Sequence, residues 1–202
     1  MSAAPRNATS LVVRPLAPAR RRDVGSIFEA RGCSVARGCW CMFYRRSGKR
    51  QPLHAGVSRA DANRAELEAL AAGDPPPGLI GYIGKVPVGW VSLGPREDFA
   101  RLRRSPVMKP VDAQPVWSVI CFVVPAEYRG RGVAKALLEG AIEFARKRGA
   151  KLLEAYPVDK AGRLADDSLW FGVKSMYDAA GFKEVARRKP SRPVVRLKLV
   201  RS

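Results

Sequence analysis

The feature that most limits how this chain can fold is an unbroken passage from an apolar run, through a glycine turn, into an amphipathic helix, CFVVPAEYRGRGVAKALLEGAIEFARKRG at Cys121–Gly149. Val116–Val124 is apolar apart from Ser118 and reads as a buried strand. Gly130 and Gly132 follow, and then Ala134, Leu137, Leu138, Ala141, Ile142 and Ala145 recur at helical spacing over 133–148, with Gly149 where a helix of that length stops. The first turn of a helix carries unpaired backbone N–H groups and partial positive charge, so a glycine turn feeding it can wrap a phosphate closely. Arg129 and Arg131 add charge there. The turn lacks the third glycine of G-x-G-x-x-G and the Gly-Lys-Ser/Thr of a Walker A loop, so the spacing points to a pyrophosphate site of another kind.

The rest of the chain supplies a sheet for this unit. Leu11–Leu16 predicts a short strand, and Val24, Ile27 and Phe28 predict an amphipathic helix after Pro18. Ser58 with Asp61 predicts a capped helix bearing Leu67 and Leu70, stopped by Gly73 and Pro75–Pro77. Leu79–Ile83 and Val88–Leu93 predict a hairpin turning at 84–87. Beyond the glycine unit, Lys151–Tyr156 predicts a strand, Ser168–Ala180 a helix with Leu169, Val173, Met176, Tyr177 and Ala180 on one face, and Phe182–Ala186 with Val194–Leu199 an antiparallel pair. Two irregular stretches remain. GCWCMFYRRSGKRQPLH, between the first two helices, reads as a loop or broken helix covering a site, and 94–115 is long for a plain connection and reads as a functional loop.

Arg129-Gly130-Arg131-Gly132-Val133-Ala134, preceded by Val-Val-Pro-x-x-Tyr, resembles the R/Q-x-x-G-x-G/A signature of the GNAT superfamily of acetyl-CoA-dependent N-acetyltransferases. Met176-Tyr177-Asp178-Ala179-Ala180-Gly181-Phe182 is similar to the Y-x-x-x-G-F segment downstream in that family. The resemblance spans about residues 10–200 of one domain over 1–202. It implies a mixed α/β (α+β) GNAT fold, with a central, mostly antiparallel twisted sheet of about six or seven strands and about four flanking helices. It also implies acetyl transfer from acetyl-CoA to a primary amine by direct attack in a ternary complex. Phe122, Val123 and Val124 would meet the pantetheine arm. Arg129, Gly130, Arg131, Gly132, Val133, Ala134 and Lys135 would hold the pyrophosphate.

Such a transfer needs a neutral amine, a donor to the thioester carbonyl and a proton for the leaving thiolate. A backbone N–H near Val123 or Val124 suits the second need, and the resemblance nominates Tyr177 for the third. The position of the glutamate base of histone-modifying relatives is Ser118 here, so the base is open: Glu154, Asp166, Asp167, Glu97 and Asp98 are candidates, beside a water relay or deprotonation in solution. Trp170 stands where many members carry an Asn that contacts CoA. Cys33, Cys39, Cys41 and His54 lack the paired C-x-x-C spacing of a zinc site, so no metal is expected, and the segment reads as an aromatic lid over the acceptor pocket with Trp40 in its wall. Arg45, Arg46, Arg96 and Arg101 suggest an acceptor bearing a carboxylate or phosphate, with Arg96 as a binding residue.

The 202 residues carry 37 Lys+Arg against 18 Asp+Glu, a net +19, which draws anions without choosing among them. Arg outnumbers Lys 26 to 11, as coding from G and C would favour, and no aromatic nucleic-acid motif accompanies the charge. The longest apolar run is well short of the ~18 residues of a membrane span. No leader-like segment or disulfide framework is evident, so a cytoplasmic protein is expected. A homodimer is compatible with the sequence. Two other classes stay open: a non-catalytic acyl-CoA sensor, and a basic protein bound to nucleic acid or ribosomes.

Overall fold

The computed structural model describes residues 11–47, 53–159 and 170–199. Seven strands form one sheet: β1 (Leu11–Pro15), β2 (Gly78–Ile83), β3 (Val86–Pro95), β4 (Trp117–Val123), β5 (Leu152–Ala155), β6 (Lys183–Lys189) and β7 (Arg192–Lys198), in the order β1-β2-β3-β4-β5-β7-β6. Neighbours are antiparallel except β4 and β5, which run parallel. Five helices accompany them among the described residues: α1 (Arg21–Glu29), α2 (Ser34–Cys39), α3 (Arg59–Leu70), α4 (Val133–Lys147) and α5 (Lys174–Ala179). This is the mixed, mostly antiparallel architecture expected from the sequence, with one helix more.

Each face of the sheet buries one set of alternating side chains. Leu137, Leu138, Ala141 and Ala145 of α4 pack on Leu79, Val91, Leu93, Val119 and Phe122. The opposite face carries Ile80, Tyr82, Trp90 and Val123 against Val24, Ile27 and Phe28 of α1 and Leu67 of α3. α4 lies close on the sheet because it offers Gly140 there: a Cβ at that position would meet Val13 at 2.7 Å. The helix ends as its sequence dictates, with Gly149 at φ 77° and Ala150 N–H bonded to Ala145 O at 3.0 Å. α3 begins with Ser58 Oγ accepting from Asp61 N–H at 3.1 Å.

Two departures from the sequence reading shape the site. The helix expected from Ser168 starts only at Lys174; Ser168 and Leu169 lie outside the described residues. Gly172 adopts φ 73° before it, and Trp170 O accepts the Phe122 N–H at 2.6 Å, which draws this stretch against β4 instead of coiling it. The 94–115 segment is anchored, since Phe99 and Leu102 are fully buried in a cluster with Ile120, Tyr156, Phe171 and Val194.

Candidate functional site

β4 and β5 pair only over Trp117–Val119 and Leu153–Ala155, and beyond that point they part. Ser92 pairs with Cys121 and Leu93 with Val119, leaving Ile120 as an extra residue in β4. This bulge sets Ile120 and Cys121 against the same apolar cluster. A cavity of about 700 Å³ runs alongside, from Ile120 down β4 to the first turn of α4. Such a volume suits a sizeable organic ligand.

At the α4 end, Gly130 (φ 70°) and Gly132 (φ 79°) hold the left-handed backbone that glycine adopts without strain. A Cβ at either would meet nothing within 4 Å, so their backbone faces open space beside the helix start. That is the arrangement in which amide N–H groups reach a phosphate, and the turn therefore fits a pyrophosphate. Phe122, Val123, Val124, Arg129, Gly130, Gly132, Val133, Ala134 and Lys135 all lie on the cavity wall, whereas Arg131 is exposed and outside it. The Arg129 side chain spans two segments: Nε donates to Val124 O at 3.0 Å and Nη2 to Gly32 O at 2.6 Å, tying the end of α1 to the glycine turn.

The opposite wall comes from the segment after α1. Val35, Ala36, Cys39, Cys41, Phe43 and Tyr44 line it, so this stretch does cover the cavity. Trp40 does not line it. Its ring stacks on Phe28 at 4.8 Å between centroids and is buried in the core, because Trp40 and Cys41 both take positive φ (48° and 55°) and the chain reverses there. The 94–115 segment contributes no wall residue and instead buttresses the wall, with the Arg101 guanidinium 3.8 Å over the Phe43 ring and Arg101 N–H on Tyr44 O at 3.1 Å.

Several expected site residues sit elsewhere. Arg96 is buried behind β4, 3.7 Å from Glu154 and donating to Gln114 O, so it is part of the scaffold. Arg45 pairs with Asp98, and Arg46 with Glu66. Glu154 is fully buried, with Oε1 accepting from Tyr156 Oη at 2.6 Å and Oε2 from Arg196 Nε at 2.8 Å. Tyr156 Oη also lies 3.2 Å from Ser118 Oγ, and Arg196 holds Asp112 through both of its terminal nitrogens. This buried chain of contacts joins β4, β5 and β7 at the point where β4 and β5 begin to part. Glu97 is exposed, and Asp166 and Asp167 lie outside the described residues.

Tyr177 is wholly buried one layer behind the wall, with its hydroxyl donating to Phe171 O at 2.9 Å. Burial drives its phenol well above the ordinary tyrosine range, so it keeps its proton. Tyr44 and Tyr128 are the tyrosines on the wall. Residues the sequence reading left out of the site are Cys33, Cys39, Cys41 and Cys121, all on the wall, with Tyr44 and Ile120. C-x-C marks only the middle pair, and nothing in the sequence signals the bulge that brings in Ile120. Among the described residues no group of three or more His, Cys, Asp or Glu is placed to hold a metal, and no helix is long and apolar enough to cross a membrane.

Solved structures share this fold. A GNAT-family acetyltransferase from Desulfovibrio desulfuricans is 17% identical, with a TM-score of 0.53, over 95% of this chain and 100% of that one. The GNAT domain of S. lividans PAT is 20% identical, with a TM-score of 0.53, over 93% and 89%. The NatC complex bound to Gag peptide and CoA contains a chain 15% identical, with a TM-score of 0.51, over 95% and 99%. No curated protein sequence matches significantly. Residues 43–166, more than half of the chain, match the acetyltransferase (GNAT) family, to which this protein belongs.

Proposed function

We propose that the protein transfers an acetyl group from acetyl-CoA to a primary amine by direct attack within a ternary complex. The observation that carries this reading is the pair of left-handed glycines, Gly130 and Gly132, opening α4 at one end of an apolar cavity that follows β4 where β5 leaves it. Acetyl-CoA would supply the acetyl thioester. The amides of Gly130–Lys135 would hold its pyrophosphate, and Phe122–Val124 would lie along its pantetheine arm.

The chain's own groups support a division of labour. The apolar wall excludes water and strengthens any hydrogen bond made to a developing oxyanion by a strand amide near Val123 or Val124. Tyr177 is the proton store for the leaving thiolate: its Oη holds its proton and must exchange Phe171 O for the sulfur. With both oxygens of Glu154 engaged and no acidic side chain on the wall among the described residues, the acceptor amine loses its proton to solution in this reading. Glu154 positions β4 against β5.

Among the described residues the wall carries Arg129 and Lys135 and no carboxylate, which favours an acceptor whose amine sits on a neutral or anionic body over a polycation. A panel of neutral, carboxylate-bearing, phosphate-bearing and polycationic amines, assayed by CoA thiol release, tests both claims. Turnover with the first three classes is expected; turnover confined to polycations would overturn the acceptor reading, and absence of acetyl-CoA binding would overturn the whole. The Drosophila melanogaster polyamine N-acetyltransferase shares the fold at 13% identity and a TM-score of 0.50, so fold alone does not decide the acceptor.

A further inference from the structure

All four cysteines, three from the lid and Cys121 from β4, line the same cavity. Two of them meet. Cys41 is buried in the cluster against which Cys121 packs, and both line the cavity, so the lid meets β4 at its bulge through these two side chains. Trp90 Nε1 donates to Cys41 Sγ at 3.3 Å and fixes that sulfur from below. Cys41 is buried, whereas Cys121 is half-buried on the wall and open to whatever enters. The lid residue of the pair also sits in a strained run, since neither Trp40 nor Cys41 is glycine and both hold positive φ.

We propose that Cys41 and Cys121 are an oxidisable pair whose disulfide fastens the lid to β4 and lowers affinity for the cavity's ligand. The oxidant is a peroxide. It converts the Cys121 thiol to a sulfenic acid with release of one water; the Cys41 thiol then condenses on that sulfur, forming the S–S bond and releasing a second water. Two hydrogens leave the protein and the peroxide is fully reduced. Cys121 reacts first because it is the open member, and the neighbouring Cys121 thiol together with burial holds Cys41 well above the ordinary range, which suits it to the resolving step rather than the first attack. Bond formation draws the sulfurs to about 2.05 Å, pulling the lid onto the strand along which the cavity runs. The bond itself is independent of the acetyl-CoA reading; its effect on turnover rests on it.

The test is hydrogen peroxide treatment of the folded, full-length protein, followed by non-reducing peptide mapping and calorimetric titration with acetyl-CoA. The expected result is a linked peptide joining Cys41 to Cys121, lighter by two hydrogens, and affinity about tenfold lower that dithiothreitol restores. Cys41→Ser and Cys121→Ser each remove the linked peptide, and Cys33→Ser keeps it. If Cys121→Ser fails to fold, Cys41→Ser alone still decides the point, since Cys121 must then stop at a sulfenic acid that dimedone captures. A link between Cys33 and Cys39, or oxidation of Cys121 to a sulfinic acid with Cys41 still alkylated by iodoacetamide, overturns the pair. Unchanged affinity in fully linked protein overturns the gating. Failure of the reduced protein to bind acetyl-CoA counts against the proposed function and leaves the mapping result to stand alone.

Discussion

Gly132 and Gly149 bracket α4 with almost the same backbone, φ 79° and 77°, and a Cβ on either would touch nothing within 4 Å. Replacing either with alanine therefore imposes the same strain of about 1–2 kcal/mol for an L-residue in the left-handed region. For a chain of this size that lowers Tm by roughly 2–8 °C. Only Gly132 lies on the cavity wall, beside the amides proposed to hold a pyrophosphate. Losing one hydrogen bond to a charged group costs about 1.5–3 kcal/mol. Affinity for acetyl-CoA should then fall roughly 10- to 150-fold in Gly132→Ala, at about tenfold per 1.4 kcal/mol. Thermal denaturation followed by circular dichroism, with calorimetric titration of both variants, separates the two effects. Equal Tm losses with an affinity loss confined to Gly132→Ala are expected. Equal affinity in the two variants would refute the assignment of the turn.

Tyr177→Phe should lower kcat by about 10²-fold if its phenol supplies the proton, with KM little changed, as measured in steady-state assays; an unchanged kcat would leave Tyr177 as a buried prop for Phe171 O. Glu154→Gln takes the buried carboxylate from between Arg96 and Arg196, leaving Arg196 with Asp112 alone, which should cost about 3–5 kcal/mol and be read as a lower Tm, while the pH–rate profile keeps its shape. A profile that loses its acid limb would reinstate Glu154 as the base. Asp112 is held down to about 2 by the paired hydrogen bonds from Arg196, so its folded value lies below its unfolded one. Its contribution to stability is complete above the ordinary aspartate value of about 4 and is lost as pH falls through about 2. Asp112→Asn should flatten the stability curve across that interval in acid denaturation.

The elements that could be read from the sequence are those whose cause is local. Ser58 caps α3 and Gly149 ends α4 because each supplies a group or a conformation that the neighbouring backbone needs, whatever the rest of the chain does. The glycine turn was legible for the same reason: two left-handed positions before an amphipathic helix require glycine, and the pattern survives without tertiary information. What the sequence reading missed depends on where distant segments meet. Trp40 reads as a wall residue beside its cysteines, yet its own left-handed backbone turns the ring onto Phe28 in the core, and no residue type announces positive φ at a tryptophan. Glu154 and Arg96 read as site residues because charge on a strand or loop is normally solvated; both are buried because Arg196, two strands along the sheet order from β4, reaches back to meet the carboxylate. Ile120 enters the wall through a bulge, which shifts the two-residue alternation that would otherwise point it away. The end of the cavity proposed for a pyrophosphate is thus encoded by one continuous stretch of chain, while the far end is assembled from the lid, β4 and the turn before α5. That asymmetry is the physical reason why the proposed donor is easier to read from the sequence than the proposed acceptor.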